Sequence, residues 1–320
     1  MKVSVLGCGR WASFLAWYSA SRVGHDVAIW GRKGSPHLEE LAATRRNEYL
    51  TLPDGVRITD SLDDALSRAE IVLIAVSAQG LRSLAAEIAR RDLSGRTFAL
   101  CMKGIEAETG KRLTQVFREE VRGPVDLAVW VGPGHVQEFV RGVPNCMLIG
   151  SDNIEATRRV AEALASRLIR FYYGQDLIGN EIGAAAKNVM GIAAGMLDGL
   201  DMSSLKSALM ARGAREVSRL VRAMGGNELT IYGLCHLGDY EATLFSPHSH
   251  NRRFGESLIR GERFDKLAEG VPTADALSLL SKRHEVEMPI SNAVRHMIRE
   301  GGDPKGALEE LFLRPLKFEF

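Results

Sequence analysis

With 320 residues, 45% of them apolar and 25% charged, the chain has the make-up of an ordinary folded protein and enough length for two cores. Its 41 Lys and Arg against 40 Asp and Glu leave a net charge of +1, so bulk attraction to nucleic acid or to an anionic membrane is not expected. The four cysteines, Cys8, Cys101, Cys146 and Cys235, form no CxxC pair; they read as reduced thiols of a cytoplasmic protein, not as a disulfide framework or a metal site.

A strand pattern is entered by Val3, which leaves no room for a signal peptide, and no apolar run is long enough to span a bilayer. Apolar strands are expected at 2–7, 26–31, 71–76, 97–102, 127–132, 145–150 and 169–174, most of them separated by helical stretches, one of these at about 153–168. Continuous apolar strands alternating with helices argue for a doubly wound, mostly parallel Rossmann-type α/β sheet. From about Gly179 the chain turns to helix formers, with Asn180 a candidate N-cap and further helices expected at 203–224, 273–284, 290–300 and 304–313, the last opened by Asp303-Pro304. No strand alternation follows residue 175. The expectation is a dinucleotide-binding domain over 1–177 and an all-helical substrate domain over 178–320.

The first strand runs into "GCGRWA" and then a helix. Gly7 permits the tight turn, Gly9 lets a diphosphate approach the backbone, and Ala12 is small enough for the helix to pack on the strand, so the anion would lie at the helix N-terminus. The second strand ends in "WGRK", which has no acid for a ribose 2′-hydroxyl but offers Arg32 and Lys33 to a 2′-phosphate. That favours NADP over NAD, unless the two cations are only a solvated surface pair.

Three later stretches carry candidate chemistry. "CMKGIE" puts Lys103 at the C-terminal end of a strand, the edge where ligands bind in such sheets. "GAAAKNVMGIAAG" puts Lys187 and Asn188 in a helix of small and apolar residues. Burial or a second cation there would lower the lysine pKa toward neutrality and make it usable as a general base, whereas a snorkelling lysine would simply reach solvent. "HLGDYEATLFSPHSHNRRFG" gathers Asp239, Thr243, Ser249, His250, Asn251 and Arg252, suited to a phosphorylated ligand. The bland alternatives are that Asp239 caps a helix and that "HNRR" is a solvated turn. His236, His248 and His250 lack metal-ligand spacing.

Taken with "NEYL" (47–50), "VGPGHVQE" (131–138), "VPTADAL" (271–277), "VEMPI" (286–290) and "RPLKFE" (314–319), these motifs resemble, along essentially the whole chain, the bacterial NAD(P)-dependent glycerol-3-phosphate dehydrogenases. The resemblance implies that Lys187 is the proton acceptor for the substrate C2 hydroxyl, with Lys103 and Asp239 completing the network around it. It implies cofactor contacts at Gly7, Gly9, Arg10, Trp11, Ala12, Arg32, Tyr49, Lys103, Val136, His250 and Glu269. Substrate contacts are implied at Lys103, Gly132, Gly134, Lys187, Asn188, Asp239, Thr243, Ser249, His250 and Asn251, and a homodimer is a family expectation. This sequence departs from the family pattern at Val131, His135, His236, Tyr240, Ser77 and above all His250, where the family has a phosphate-gripping Arg; Arg252 or Arg253 is the candidate replacement. Two other readings stay open: a diverged dehydrogenase acting on another small anionic hydroxy compound, and a non-catalytic dinucleotide-binding sensor, against which Lys103, Lys187 and Asp239 argue.

Overall fold

A computed structural model describes residues 1–316 and Phe318; Lys317 and Glu319 of the terminal motif, and Phe320, lie outside the described residues. The first half runs β1 (Lys2–Leu6), α1 (Arg10–Tyr18), β2 (Asp26–Trp30), α2 (Pro36–Thr44), β3 (Arg57–Thr59), α3 (Leu62–Ser67), β4 (Ile71–Ile74), α4 (Leu81–Ile88), β5 (Thr97–Leu100), α5 (Leu113–Glu120), β6 (Asp126–Val131), α6 (Val136–Val140), β7 (Asn145–Gly150), α7 (Ile154–Leu164) and β8 (Ile169–Gly174). All eight strands join one sheet in the order β3-β2-β1-β4-β5-β6-β7-β8. Only β6 and β7 are antiparallel. The 132–144 connection carries only the short α6 and turns back beside β6. β3 was not anticipated: "RIT" is a three-residue edge strand, half-exposed and without an apolar run to announce it.

The order reverses at β1, which has β2 on one side and β4 on the other. Such a reversal opens a crevice at the strands' carboxyl ends, and Gly7 stands at its floor. Its φ is +127°, and a Cβ there would fall inside van der Waals contact of the Ala75 carbonyl at the end of β4. Gly7→Ala therefore combines backbone strain of about 1–3 kcal/mol with a backbone clash, and a lower urea midpoint than wild type is the expected result.

The second half is helical: α8 (Leu177–Gly199), α9 (Lys206–Ala223), α10 (His250–Arg260), α11 (Gly270–Arg283), α12 (Pro289–Arg299) and α13 (Pro304–Phe312). α8 begins three residues before the expected Asn180. Its cap is Asp176, whose carboxylate accepts from the Gly179 N–H at 3.1 Å. Asn180 is buried inside the helix. Asp303 caps α13, accepting from the Lys305 and Gly306 N–H groups. α8 is buried from Gly179 to Asp198 and is the axle around which α9, α10, α11 and α12 pack, most of its few polar side chains facing partners inside the fold; a helix built mostly of small and apolar residues is stable in that position. α10 lies closest. A Cβ on Gly195 would strike the Arg252 carbonyl, and one on Gly255 would strike the carbonyl of Ile192, so the two backbones meet at a pair of glycines. Arg252 then fastens α10 to α8 through Asp198, which also binds Lys206 at 2.6 Å. Among the described residues no helix is long and apolar enough to cross a membrane.

Candidate active site

The centre of the site is a carboxylate shared by two lysines. Asp239 is 1% exposed and lies in a short turn before α10, where it caps no helix. Its Oδ2 accepts from Lys103 Nζ at 2.7 Å and from Lys187 Nζ at 3.0 Å. Lys103 comes from the loop after β5 and also donates to the Gly132 carbonyl, just past β6, at 2.5 Å. Lys187 comes from the middle of α8, is 7% exposed and does not snorkel. Its Nζ donates to Thr243 Oγ1 at 2.7 Å, and Thr243 spends its own proton on the Asp239 carbonyl. An ammonium carries three N–H groups, so after Thr243 and Asp239 one remains for a ligand.

Burial lowers the Lys187 pKa from 10.5 to about 8; the Asp239 charge opposes the shift and the Lys103 charge adds to it. Desolvation disfavours the charged form, and the nearby carboxylate only partly restores it. The group thus exchanges its proton near neutral pH, as a general acid or base must.

An amide relay frames the lysines. Asn188, next to Lys187 on α8, donates to the Lys103 carbonyl at 2.9 Å. Asn251 on α10 donates to Asn188 Oδ1 at 3.0 Å and accepts from the Gly270 N–H at 2.9 Å. Both amides therefore lock the loop after β5, α8, α10 and α11 together. Ser249 is the N-cap of α10 and accepts from the Arg252 N–H, so "HNRR" begins a helix. Arg252 is committed to Asp198, and Arg253 is exposed, over the Phe264 ring. Arg252 therefore does not provide the replacement cation, whereas the Arg253 charge reaches His250 and Tyr49. His250 opens α10 with its Nδ1 on the Leu267 carbonyl at 3.3 Å; burial, then the Arg10 charge, pushes its pKa down.

On the sheet side, Gly9 is open, with nothing near a would-be Cβ, directly before α1. Ala12 is fully buried. The Trp11 ring packs on Phe14 at 4.9 Å and edge-on to Trp130 at 6.4 Å; it belongs largely to the core, and its backbone is what opens onto the crevice. Arg32 and Lys33 are exposed beyond β2. Val136 is buried at the start of α6, after Gly132 and Gly134, which both take positive φ. Glu269, before α11, accepts from the Ala78 N–H at 3.0 Å through Oε1, while its buried Oε2 has no partner among the described residues. Burial raises its pKa. An orphaned carboxyl oxygen near Gly104, together with the open N-terminus of α1 at Gly9, fits a dinucleotide laid across the crevice. Among the described residues no group of three or more His, Cys, Asp or Glu side chains could hold a metal ion.

Arg10 gives the site a further cation, and its partners had no sequence signal. At the first position of α1 its guanidinium reaches across to Gln137 Oε1 at 3.0 Å, His135 Nδ1 at 3.4 Å and the His248 carbonyl at 3.2 Å, and it stands 5.1 Å from the Tyr49 ring centroid.

Comparison with known proteins places both halves. Residues 2–157 match the model of the NAD-dependent glycerol-3-phosphate dehydrogenase N-terminus, and residues 176–309 that of its C-terminus. The chain is 36% identical over 337 residues to glycerol-3-phosphate dehydrogenase [NAD(P)+] of Pelodictyon phaeoclathratiforme, covering all of this chain and 99% of that protein. It is 37% identical to that of Chlorobium limicola, with the same coverage. The crystal structure of glycerol-3-phosphate dehydrogenase from Coxiella burnetii superposes with a TM-score of 0.90 at 29% identity, over 98% of this chain and 99% of that one.

Proposed function

Because the chain belongs to the NAD-dependent glycerol-3-phosphate dehydrogenase family, we propose that it interconverts dihydroxyacetone phosphate and sn-glycerol 3-phosphate with NADPH or NADH, supplying a glycerophospholipid precursor. The observation that carries this reading is the buried Lys187 with one uncommitted N–H and a pKa near 8. When bound, the nicotinamide supplies or takes the hydride at substrate C2. The protein does the rest. Lys187 Nζ gives a proton to the oxygen on C2 as the ketone is reduced and takes it back in the reverse direction. Lys103 adds positive charge beside the same oxygen, where it stabilises the developing alkoxide. Asp239 holds both ammonium groups in place. Gly7, Gly9, Ala12 and the backbone of Trp11 would cradle the diphosphate, with Tyr49, Val136 and Glu269 around the rest of the cofactor. Steady-state reduction of dihydroxyacetone phosphate, set against a panel of phosphorylated and carboxylated ketones, tests the reading; saturation only by a different ketone would replace it. His135 and His250, both departures from the family pattern, are what favour that second outcome.

Arg32 and Lys33 would take the adenosine 2′-phosphate. A hydrogen bond to a charged group is worth about 1.5–3 kcal/mol, so Arg32→Ala should raise the KM for NADPH roughly tenfold or more and leave that for NADH unchanged. The domain division at 177/178 falls between β8 and the body of α8. A cytosolic homodimer completes the proposal, the former supported by four unpaired thiols.

A further inference from the structure

We propose that Arg10, the first residue of α1, is the cation that receives the substrate's phosphate in this chain, held in place by His135, Gln137 and the His248 carbonyl. This deepens the glycerol-phosphate reading above and rests on it.

Arg10 is half-buried in the interdomain crevice, and all of its hydrogen-bond partners are neutral: an imidazole nitrogen, an amide oxygen and a backbone carbonyl. Among the described residues it makes no ion pair. Glu48, the carboxylate whose charge reaches it, pairs with Lys266 at 3.8 Å. Burial lowers the Arg10 pKa, yet a guanidinium stays protonated in proteins, so a full positive charge stands partly desolvated without a counter-ion. A guanidinium has five N–H donors, and the three bonds formed leave two for a ligand. The nearby charges deepen the imbalance. Lys103 and Lys187 share a single carboxylate, and Arg10 adds a further positive charge to a crevice whose carboxyl groups are Asp239 and Glu269, the second with its pKa raised by burial. A phosphate monoester dianion restores that balance.

Two of the other candidates for the phosphate are occupied by their own bonds. Arg252 is tied to Asp198. His250 must donate its Nδ1–H to the Leu267 carbonyl, so it offers any ligand only an Nε2 lone pair, which a phosphate oxygen repels. His135 is neutral as well, its pKa pushed down to about 4 by burial, then by Arg10 and Lys187. Its Nδ1 accepts from Arg10, which makes it a positioning residue. Arg10 binds the His248 carbonyl, one residue before the Ser249 cap of α10, and Asn251 of that helix bonds Asn188, the neighbour of Lys187, so the head of α10 ties Arg10 to the lysine site. Arg10 also draws the two halves of the molecule together, since the sheet domain supplies the guanidinium and the segment before α10 supplies the carbonyl it binds.

The test compares wild type with Arg10→Gln, Arg10→Lys and His135→Phe. For R10Q the KM for dihydroxyacetone phosphate should rise about 10- to 100-fold, a larger factor than any change in the KM for unphosphorylated dihydroxyacetone or the Kd for NADPH. R10K should recover part of the loss, and H135F should raise the same KM by a smaller factor with kcat kept. A readout free of turnover is calorimetric titration of inorganic phosphate into NADPH-saturated protein, where wild type binds and R10Q does not. An unchanged KM for dihydroxyacetone phosphate in R10Q, or a loss confined to NADPH affinity, overturns the proposal and gives Arg10 to the cofactor diphosphate. Phosphate binding that depends on Arg10 in a wild-type protein unable to reduce dihydroxyacetone phosphate would keep the anion site and reject the assigned substrate.

Discussion

Lys187→Met should lower kcat for ketone reduction by about 10²- to 10⁴-fold, the usual contribution of a positioned acid or base, with the Kd for NADPH unchanged. The side chain is buried, and among the described residues its Nζ meets Thr243 and Asp239, so methionine fills the space without leaving a charge. Wild-type pH dependence follows from the direction of the shift. Burial brings the lysine pKa down from 10.5 to about 8, so the ammonium needed to protonate the alkoxide is present below that pH and lost above it. Reduction should therefore slow as pH rises through about 8, and oxidation, which needs the free amine, should speed up. In Lys187→Met both limbs should vanish. A variant with wild-type turnover, or one that keeps the limb near 8, would show that the proton passes elsewhere.

Asp239→Asn should have the largest effect on stability. The carboxylate is buried and bonded to two ammonium groups, and removing one partner of a buried ion pair costs about 3–5 kcal/mol because the other charge is left uncompensated. The protein has a way to relieve part of that cost. Since the Asp239 charge is what raises the Lys187 pKa against burial, its loss should push the lysine still lower, and the neutral amine would then predominate at neutral pH. Chemical denaturation measures the first effect. The pH profile of residual activity measures the second, as a limb displaced to lower pH. A stability loss below about 1 kcal/mol together with an unmoved limb would mean that the three side chains are not coupled in solution.

The sheet and its order of strands and helices were legible because buried parallel strands are written as unbroken apolar runs. β3 was not, because an edge strand of three half-exposed residues carries no such run. The start of α8 was misplaced for a related reason. Asn180 and Asp176 are both good caps by residue type, and only the backbone decides that the carboxylate at 176 meets the Gly179 N–H. In the site, a lysine among alanines and glycines is a conspicuous signal, but spacing alone leaves burial and snorkelling equally open for Lys187; the helices packed around α8 bury it. The partners of Arg10 left no such signal. Gln137 and the carbonyl of His248 stand 127 and 238 residues away from it, and neither residue type announces the contact. Arg252 and Arg253 looked equally able to bind phosphate in the sequence. The step of about 100° between successive residues of α10 sends the first to Asp198 and the second over the Phe264 ring, a distinction that lives in the helix phase and in no local pattern.

The glycine-to-glycine meeting of α10 with α8 has a bearing on reactivity. Lys187 rides on one of those helices, and Ser249, His250 and Asn251 ride on the end of the other, so the gap between proton donor and ligand pocket is set by how deeply the helices nest. That depth depends on two absent methyl groups, at 195 and 255. Adding either one would wedge the helices apart and so move the lysine relative to the head of α10.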